Sequence, residues 1–326
     1  MFADVTADDV RRAAVRLRDV AMKTALRRAP RISAHVGGDV WLKLENEQLT
    51  GSFKLRGAYS ALASLTPEQR SRGVVTASAG NHGRGLAFAA QRFGTPVTIF
   101  VPRTAPRVKL EGMRECNATI DAESAHYDEA HARAIVFAKQ HGLTYVDPCV
   151  GGPLVAGQGT VALEIVEQLP GVRTVITPVG GAGLLGGIGA FLRDVKPNVR
   201  IVGAQSANTN AMAASLAAGR VTDTPILPTL ADGLAGAIDE HALDVGRHAL
   251  DELVTVDEAD IARAMAVLAD EEAVIAEGAG AVGVAALLTN AIATRPDPVV
   301  VVISGGNVDR EVLERLRSSR SSRSSR

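Results

Sequence analysis

The chain has 326 residues, enough for about two domains at roughly 150 residues each. With 46% hydrophobic and 22% charged residues it can bury a sizeable core, and its formal charge of -1 and 3% aromatics give no case for a nucleic-acid partner or a charged membrane surface. Two cysteines, Cys116 and Cys149, make neither a disulfide framework nor a CxxC metal site, which points to a reducing cytoplasm.

Residues 1–11 carry Asp4, Asp8 and Asp9 and no basic stretch leading an apolar one, so no signal peptide is read there. A short apolar run at 40–44 precedes a helix at 52–65, with Phe53, Ala58 and Leu62 as inner positions. A strand at 73–76 and a helix at 83–93 follow, then a strand at 97–101 ended by Pro102. Segments 119–121, 128–141 and 143–146 continue the alternation. Strands at 174–177 and 200–204 flank a helix at 184–194, and a helix at 257–270 precedes a last strand at 299–303. Strands alternating with helices predict an α/β fold of βαβ units with a mostly parallel sheet. The apolar runs 279–288 and 299–303 are far too short to span a membrane. Residues 318–326, which repeat Ser-Ser-Arg, read as a solvated, disordered tail.

In parallel sheets, ligands sit beyond the C-terminal ends of strands. Four loops at strand ends or helix starts carry polar chemistry. In Thr50-Gly51-Ser52-Phe53-Lys54-Leu55-Arg56-Gly57 a lysine opens a helix, where the dipole disfavours a cation and favours the neutral, nucleophilic amine. Thr76-Ala77-Ser78-Ala79-Gly80-Asn81-His82-Gly83 offers backbone N–H groups suited to a carboxylate or phosphate, and an amide able to donate and accept. Pro178-Val179-Gly180-Gly181-Ala182-Gly183-Leu184-Leu185-Gly186-Gly187 lets backbone N–H groups approach an anion closely. It contains a literal GxGxxG, but the next strand ends Gly203-Ala204-Gln205, without the acidic residue a dinucleotide site needs, so one phosphate fits better. Ile303-Ser304-Gly305-Gly306-Asn307-Val308-Asp309 closes the last strand with a hydroxyl able to meet a ligand ring atom. Singly, each fits a plain turn. Together they describe one site, and a phosphorylated aldehyde cofactor bound to the lysine satisfies all four.

These residues carry a family resemblance. Lys43-Leu44-Glu45-Asn46 with Gln48, then residues 50–57, 78–83 and 180–184, Ala231-Asp232-Gly233-Leu234, Glu277-Gly278 and residues 304–309 stand in the order of the fold-type II pyridoxal-phosphate enzymes. From about residue 17 to 309 the chain resembles their threonine/serine dehydratase (serine racemase-like) group. The resemblance implies two open, twisted, mostly parallel sheets flanked by helices, as in tryptophan synthase β. Residues 1–65 and 146–317 would form a large cofactor-binding domain and 66–145 a small inserted one, with 318–326 the tail. It implies that Lys54 forms a Schiff base with pyridoxal 5'-phosphate and then takes the substrate Cα proton. Phe53 would pack beside the ring and Asn81 would bond the ring hydroxyl. Gly180, Gly181, Ala182, Gly183 and Leu184 would hold the phosphate, and Ser304 would face the pyridine nitrogen. The N–H groups of Ser78, Ala79, Gly80, Asn81 and His82 would hold the substrate carboxylate. A neutral Ser304 favours a protonated pyridine less than a carboxylate would, which suits prompt loss of a β-leaving group.

The chain departs from the pattern in places. Ala79 stands where serine racemases carry a serine acid, which favours elimination over racemisation. Gln205 and Ala211 stand at the places of the acidic residues of the family's divalent-metal site, so no strong divalent site is expected, and a monovalent cation stays open. Ala182 interrupts the glycine run, and its Cβ restricts positive φ. Arg84 replaces a frequent glutamine, as in a hydroxyectoine-utilisation branch, and points to a more acidic or larger substrate. Glu277 is a candidate neighbour of the cofactor. The expected activity is dehydration and deamination of a β-hydroxy amino acid, L-threonine or L-serine, in a cytoplasmic homodimer with no membrane or nucleic-acid partner. Alternatives are 3-hydroxyaspartate or a hydroxyectoine-pathway compound as substrate, serine racemisation, a nucleotide-binding oxidoreductase, and a catalytically silent binding protein.

Overall fold

The computed structural model of the chain describes residues 5–105 and 107–324. Its ten strands are β1 (Leu26–Arg28), β2 (Val40–Lys43), β3 (Val74–Ala77), β4 (Val97–Pro102), β5 (Thr119–Ser124), β6 (Thr144–Tyr145), β7 (Thr174–Pro178), β8 (Arg200–Ser206), β9 (Glu252–Val256) and β10 (Val299–Val302). β3, β7 and β10 are buried along their whole length. Such strands need apolar cover on both faces, so they take central places between helix layers. The larger sheet has the order β1-β2-β10-β7-β8-β9, with β1 antiparallel and the rest parallel. The smaller sheet, β5-β4-β3-β6, is parallel throughout and is drawn entirely from residues 74–145. The architecture is the expected pair of mostly parallel sheets flanked by helices, and the parallel order carries the loops after β3, β7 and β10 to the strands' C-terminal ends.

The structure adds elements that periodicity did not announce, among them β9 and the helices Ala7–Leu17, Arg107–Arg114, Gly152–Gln168 and Glu240–Ala249. Gly152–Gln168 is instructive. Its glycines lower helix propensity, yet a Cβ on Gly157 would fall 2.5 Å from the Arg56 carbonyl oxygen. The glycine lets this helix press against Lys54–Ser64, and tertiary packing overrides propensity. The same holds for Gly278–Leu288, read from sequence only as an interrupted apolar run, where a Cβ on Gly283 would fall 2.7 Å from Val301.

The Ser-Arg tail is a correction. A helix spans Arg310–Ser324, where a disordered segment was expected from residue 318, and residues 325–326 lie outside the described part. Leu313 is buried, Leu316 packs on the large-sheet core, and Arg317 pairs with Asp270 at 2.6 Å. An anchored first half supplies the nucleus, after which each further helical residue costs little.

Candidate active site

The site assembles from five loop segments. Lys54 is the first residue of the helix Lys54–Ser64, and Phe53 is its N-cap without a side-chain cap bond. The segment before it is bonded to the end of β10. Asn46 N–H donates to the Ile303 carbonyl at 3.0 Å, Phe53 N–H to the Ser304 carbonyl at 3.1 Å, and Gly306 N–H to the Gly51 carbonyl at 2.9 Å. Lysine and serine loops therefore hold one another in register. Phe53 is 9% exposed and Ser304 3% exposed.

Lys54 Nζ lies 5.3 Å from the Phe53 ring centroid, donates to the Pro148 carbonyl at 2.7 Å, and stands 3.9 Å from Cys149 Sγ. Cys149 in turn abuts the glycine loop. A Cβ on Gly181 would fall 2.7 Å from its sulfur, and one on Gly183 would fall 2.9 Å from its carbonyl oxygen. In that loop, Ala182 takes the left-handed conformation (φ 64°, ψ 2°) and caps the helix Gly183–Val195. The loop so keeps a glycine-like turn despite the alanine. Among the described residues no acceptor pairs with the amides of Gly180, Gly181, Ala182, Gly183 or Leu184. Unpaired amides converging at a helix N-terminus form an anion site.

The turn after β3 opens the helix Asn81–Phe93. Here the amides divide. Ser78 N–H is spent on the Phe100 carbonyl at 3.1 Å, and Gly80 N–H on the Ser78 hydroxyl at 3.3 Å. That leaves Ala79, Asn81 and His82 as the backbone donors of the five expected. Ser78 takes part in holding the turn instead. The His82 ring is buried and bonded through Nε2 to the Val146 carbonyl at 3.3 Å. Burial, with the Lys54 ammonium adding to it, pushes its pKa down to about 3, so the imidazole is neutral. Asn81 Nδ2 donates to Glu277 Oε1 at 2.7 Å, and Asn307 Nδ2 donates to Asn81 Oδ1 at 2.7 Å.

All four loops singled out in the sequence thus meet, directly or through one residue. Three contributors were not singled out as site residues. Cys149 and Pro148 follow β6, a strand end that the rule used for the other loops would have covered. Asn307 lay inside a quoted motif, but its partners come from distant segments. Glu277, a sequence candidate, does contact Asn81. Gln205 is committed to structure, with Nε2 on the Val179 carbonyl at 3.0 Å and Oε1 accepting from Ala213 N–H at 3.1 Å. No group of three or more metal-ligating side chains occurs among the described residues, and no described helix is long and apolar enough to cross a membrane.

The residues fit a phosphorylated pyridine aldehyde. The cradle of unpaired amides suits a phosphate, the amine sits beside an aromatic face, and the buried serine hydroxyl and Asn81 amide are polar groups for a ring's edge.

Comparison with known proteins agrees with this chemistry. The sequence model of the family described as pyridoxal-phosphate dependent enzyme matches residues 17–305. An L-threonine ammonia-lyase of Thermotoga maritima is 43% identical over 313 residues, covering 96% of this chain and 78% of that protein. The structure of maize serine racemase superposes with a TM-score of 0.91 at 31% identity, covering 99% of both chains. The processed form of threonine deaminase isoform 2 from Solanum lycopersicum superposes with a TM-score of 0.88 at 31% identity, covering 97% of this chain and 90% of that one.

Proposed function

Because the chain belongs to the pyridoxal-phosphate dependent enzyme family, we propose that it is an ammonia-lyase that converts L-threonine, and L-serine as a second substrate, to the 2-oxo acid and ammonia. The observation that carries the reading is the placing of Lys54 Nζ beside the Phe53 face, with Cys149 bridging it to the loop of unpaired amides.

Pyridoxal phosphate, when bound, supplies an electron sink that acidifies the substrate Cα–H. The amides of Gly180, Gly181, Ala182, Gly183 and Leu184 would hold its phosphate. Lys54 would hold its aldehyde end, and its Nζ would take the substrate Cα proton. The amides of Ala79, Asn81 and His82 orient the substrate carboxylate. The neutral His82 ring adds no competing charge there. Ser304 offers a hydroxyl to the ring nitrogen, and Phe53 excludes water from one side of the amine. Ala79 has no proton to give from the opposite side, which supports elimination over racemisation. A cytoplasmic homodimer is part of the same reading.

The test is the visible absorption of the purified protein with pyridoxal phosphate, before and after L-threonine, with 2-oxobutyrate assayed in the same tube. We expect a bound-cofactor band that changes on addition while keto acid accumulates, and both signals lost in Lys54→Ala. A band indifferent to threonine but responsive to 3-hydroxyaspartate reassigns the substrate. Turnover at the parent rate in Lys54→Ala overturns the mechanism.

A further inference from the structure

Around Asn81 runs a chain of hydrogen bonds whose direction is forced at each end. Arg84 Nη1 donates to Asn307 Oδ1 at 2.9 Å. Asn307 Nδ2 donates to the Thr50 carbonyl at 2.9 Å and to Asn81 Oδ1 at 2.7 Å. Asn81 Nδ2 donates to Glu277 Oε1 at 2.7 Å. A guanidinium only donates, and a backbone carbonyl only accepts. Asn307 must therefore turn its oxygen to Arg84 and its nitrogen to Thr50. The second hydrogen of that nitrogen goes to Asn81, which turns the Asn81 oxygen toward Asn307 and its NH2 group toward Glu277. Amide orientation, ordinarily ambiguous between two flips, is decided here by partners that can each play only one role.

Packing keeps Asn307 in place. Gly51 (φ +73°) lies flat against it, and a Cβ there would fall 2.3 Å from Asn307 Oδ1. Arg84 is half-buried across the helix Arg107–Arg114, where a Cβ on Gly112 would fall 3.0 Å from its Nε. Arg84 and Asn81 stand one turn apart on a helix beside the small sheet, while Thr50, Glu277 and Asn307 come from segments beside the large one.

Resting on the reading of Asn81 as partner of the cofactor's ring oxygen, we propose that Asn307, backed by Arg84, is the positioning residue that makes Asn81 a donor at that oxygen. One hydrogen of Asn81 Nδ2 is given to Glu277, and the other serves the ring. A donor there stabilises the deprotonated oxygen, whereas a flipped amide would favour the protonated one. The Arg84 side chain thus acts through polarity, by requiring an oxygen from Asn307, and any neutral donor of similar reach does the same work.

The experiment titrates the parent chain and the variants Asn307→Asp, Arg84→Gln and Arg84→Glu with pyridoxal phosphate, following visible absorbance for the dissociation constant and its change with pH. Asn307→Asp keeps an acceptor for Arg84 but cannot donate to Asn81, and it draws the Asn81 nitrogen toward itself. Affinity is expected to fall about tenfold, the worth of one well-made hydrogen bond, and the pH midpoint of the absorbance change to rise. Arg84→Glu turns the Asn307 amide over and gives the same two changes. Arg84→Gln keeps a donor and stays within about threefold of the parent. The proposal is overturned if Asn307→Asp binds within about twofold of the parent with an unmoved midpoint, or if Arg84→Gln loses as much as Arg84→Glu, which would assign the effect to charge. Circular dichroism reports folding, and if Asn307→Asp is unfolded the Arg84 pair decides alone. A parent chain that takes up no cofactor overturns the underlying reading as well, and is told apart by the missing band.

Discussion

At the scale of single residues, the site is built from close approaches that leave no room for a side-chain atom. Gly181 faces the Cys149 sulfur, 2.7 Å from where its Cβ would stand. Gly181→Ala is expected to destabilise the chain, and Cys149→Ala in the same chain to recover part of the loss, because removing the sulfur opens the space the methyl needs. Residues in contact couple by about 0.5–3 kcal/mol. Urea unfolding of the parent, the two single variants and the double variant measures that coupling, and additivity within about 0.3 kcal/mol would show that the contact is not felt. Lys54, Asn81, Ser304 and the glycine loop were legible as residue types because each lies just after a strand or at a helix start. Asn307 was not legible as a functional residue, since its meaning rests on Arg84, Asn81 and Thr50, from segments 223 to 257 positions away. Local sequence carries no trace of such partners.

At the scale of elements, the helix that begins with Lys54 is held from beneath by a buried charged cluster. Arg56 donates to Glu45 at 2.7 Å and to Glu164 at 2.6 Å, and Lys43 donates to Glu164 at 2.5 Å. These contacts tie β2, Lys54–Ser64 and Gly152–Gln168 together. Arg56→Met removes the cation between two buried carboxylates and is expected to cost about 3–5 kcal/mol in denaturant unfolding. A cost below about 1 kcal/mol would mean that Lys43 alone suffices. Burial pushes the Glu45 carboxyl up, but the Arg56 guanidinium and its hydrogen bonds outweigh it, so the folded-state pKa lies below the ordinary 4.5. The unfolded chain then takes up this proton first as pH falls. The stability Glu45 contributes is present above pH 4.5 and is lost below it. Thermal melts from pH 7 to 3 should fall more steeply for the parent than for Glu45→Gln. Parallel slopes would remove Glu45 from the account. Strands β2 to β8 and β10, and the helices over Asn81–Phe93, Tyr127–His141 and Gly183–Val195, were legible in the sequence. Gly152–Gln168 was not, because its glycines answer to a neighbouring helix rather than to helix propensity.

At the scale of the whole molecule, the two sheets present their strand ends and helix starts to one site, and the residues that meet there come from both. Ligand that binds the folded chain alone must therefore stabilise it as a unit. Pyridoxal phosphate at about 100 times its dissociation constant should add about 2.7 kcal/mol and raise the melting temperature measurably. Lys54→Ala, which keeps the phosphate cradle, should show a smaller shift. An unmoved melting temperature in the parent chain would count against the cofactor assignment.

The sequence by itself determined the alternation of strands and helices, the chemical character of four loops and, through their order, the family. Those are properties of residue type and spacing, which act over a few positions. Only the tertiary structure decided that Ser78 spends its amide on the sheet, that Cys149 stands between lysine and glycine loop, and that Asn307 sets the sense of Asn81. Each depends on the three-dimensional approach of segments far apart in the chain. A hydrogen bond's direction and a missing Cβ's clearance exist only once those segments are packed.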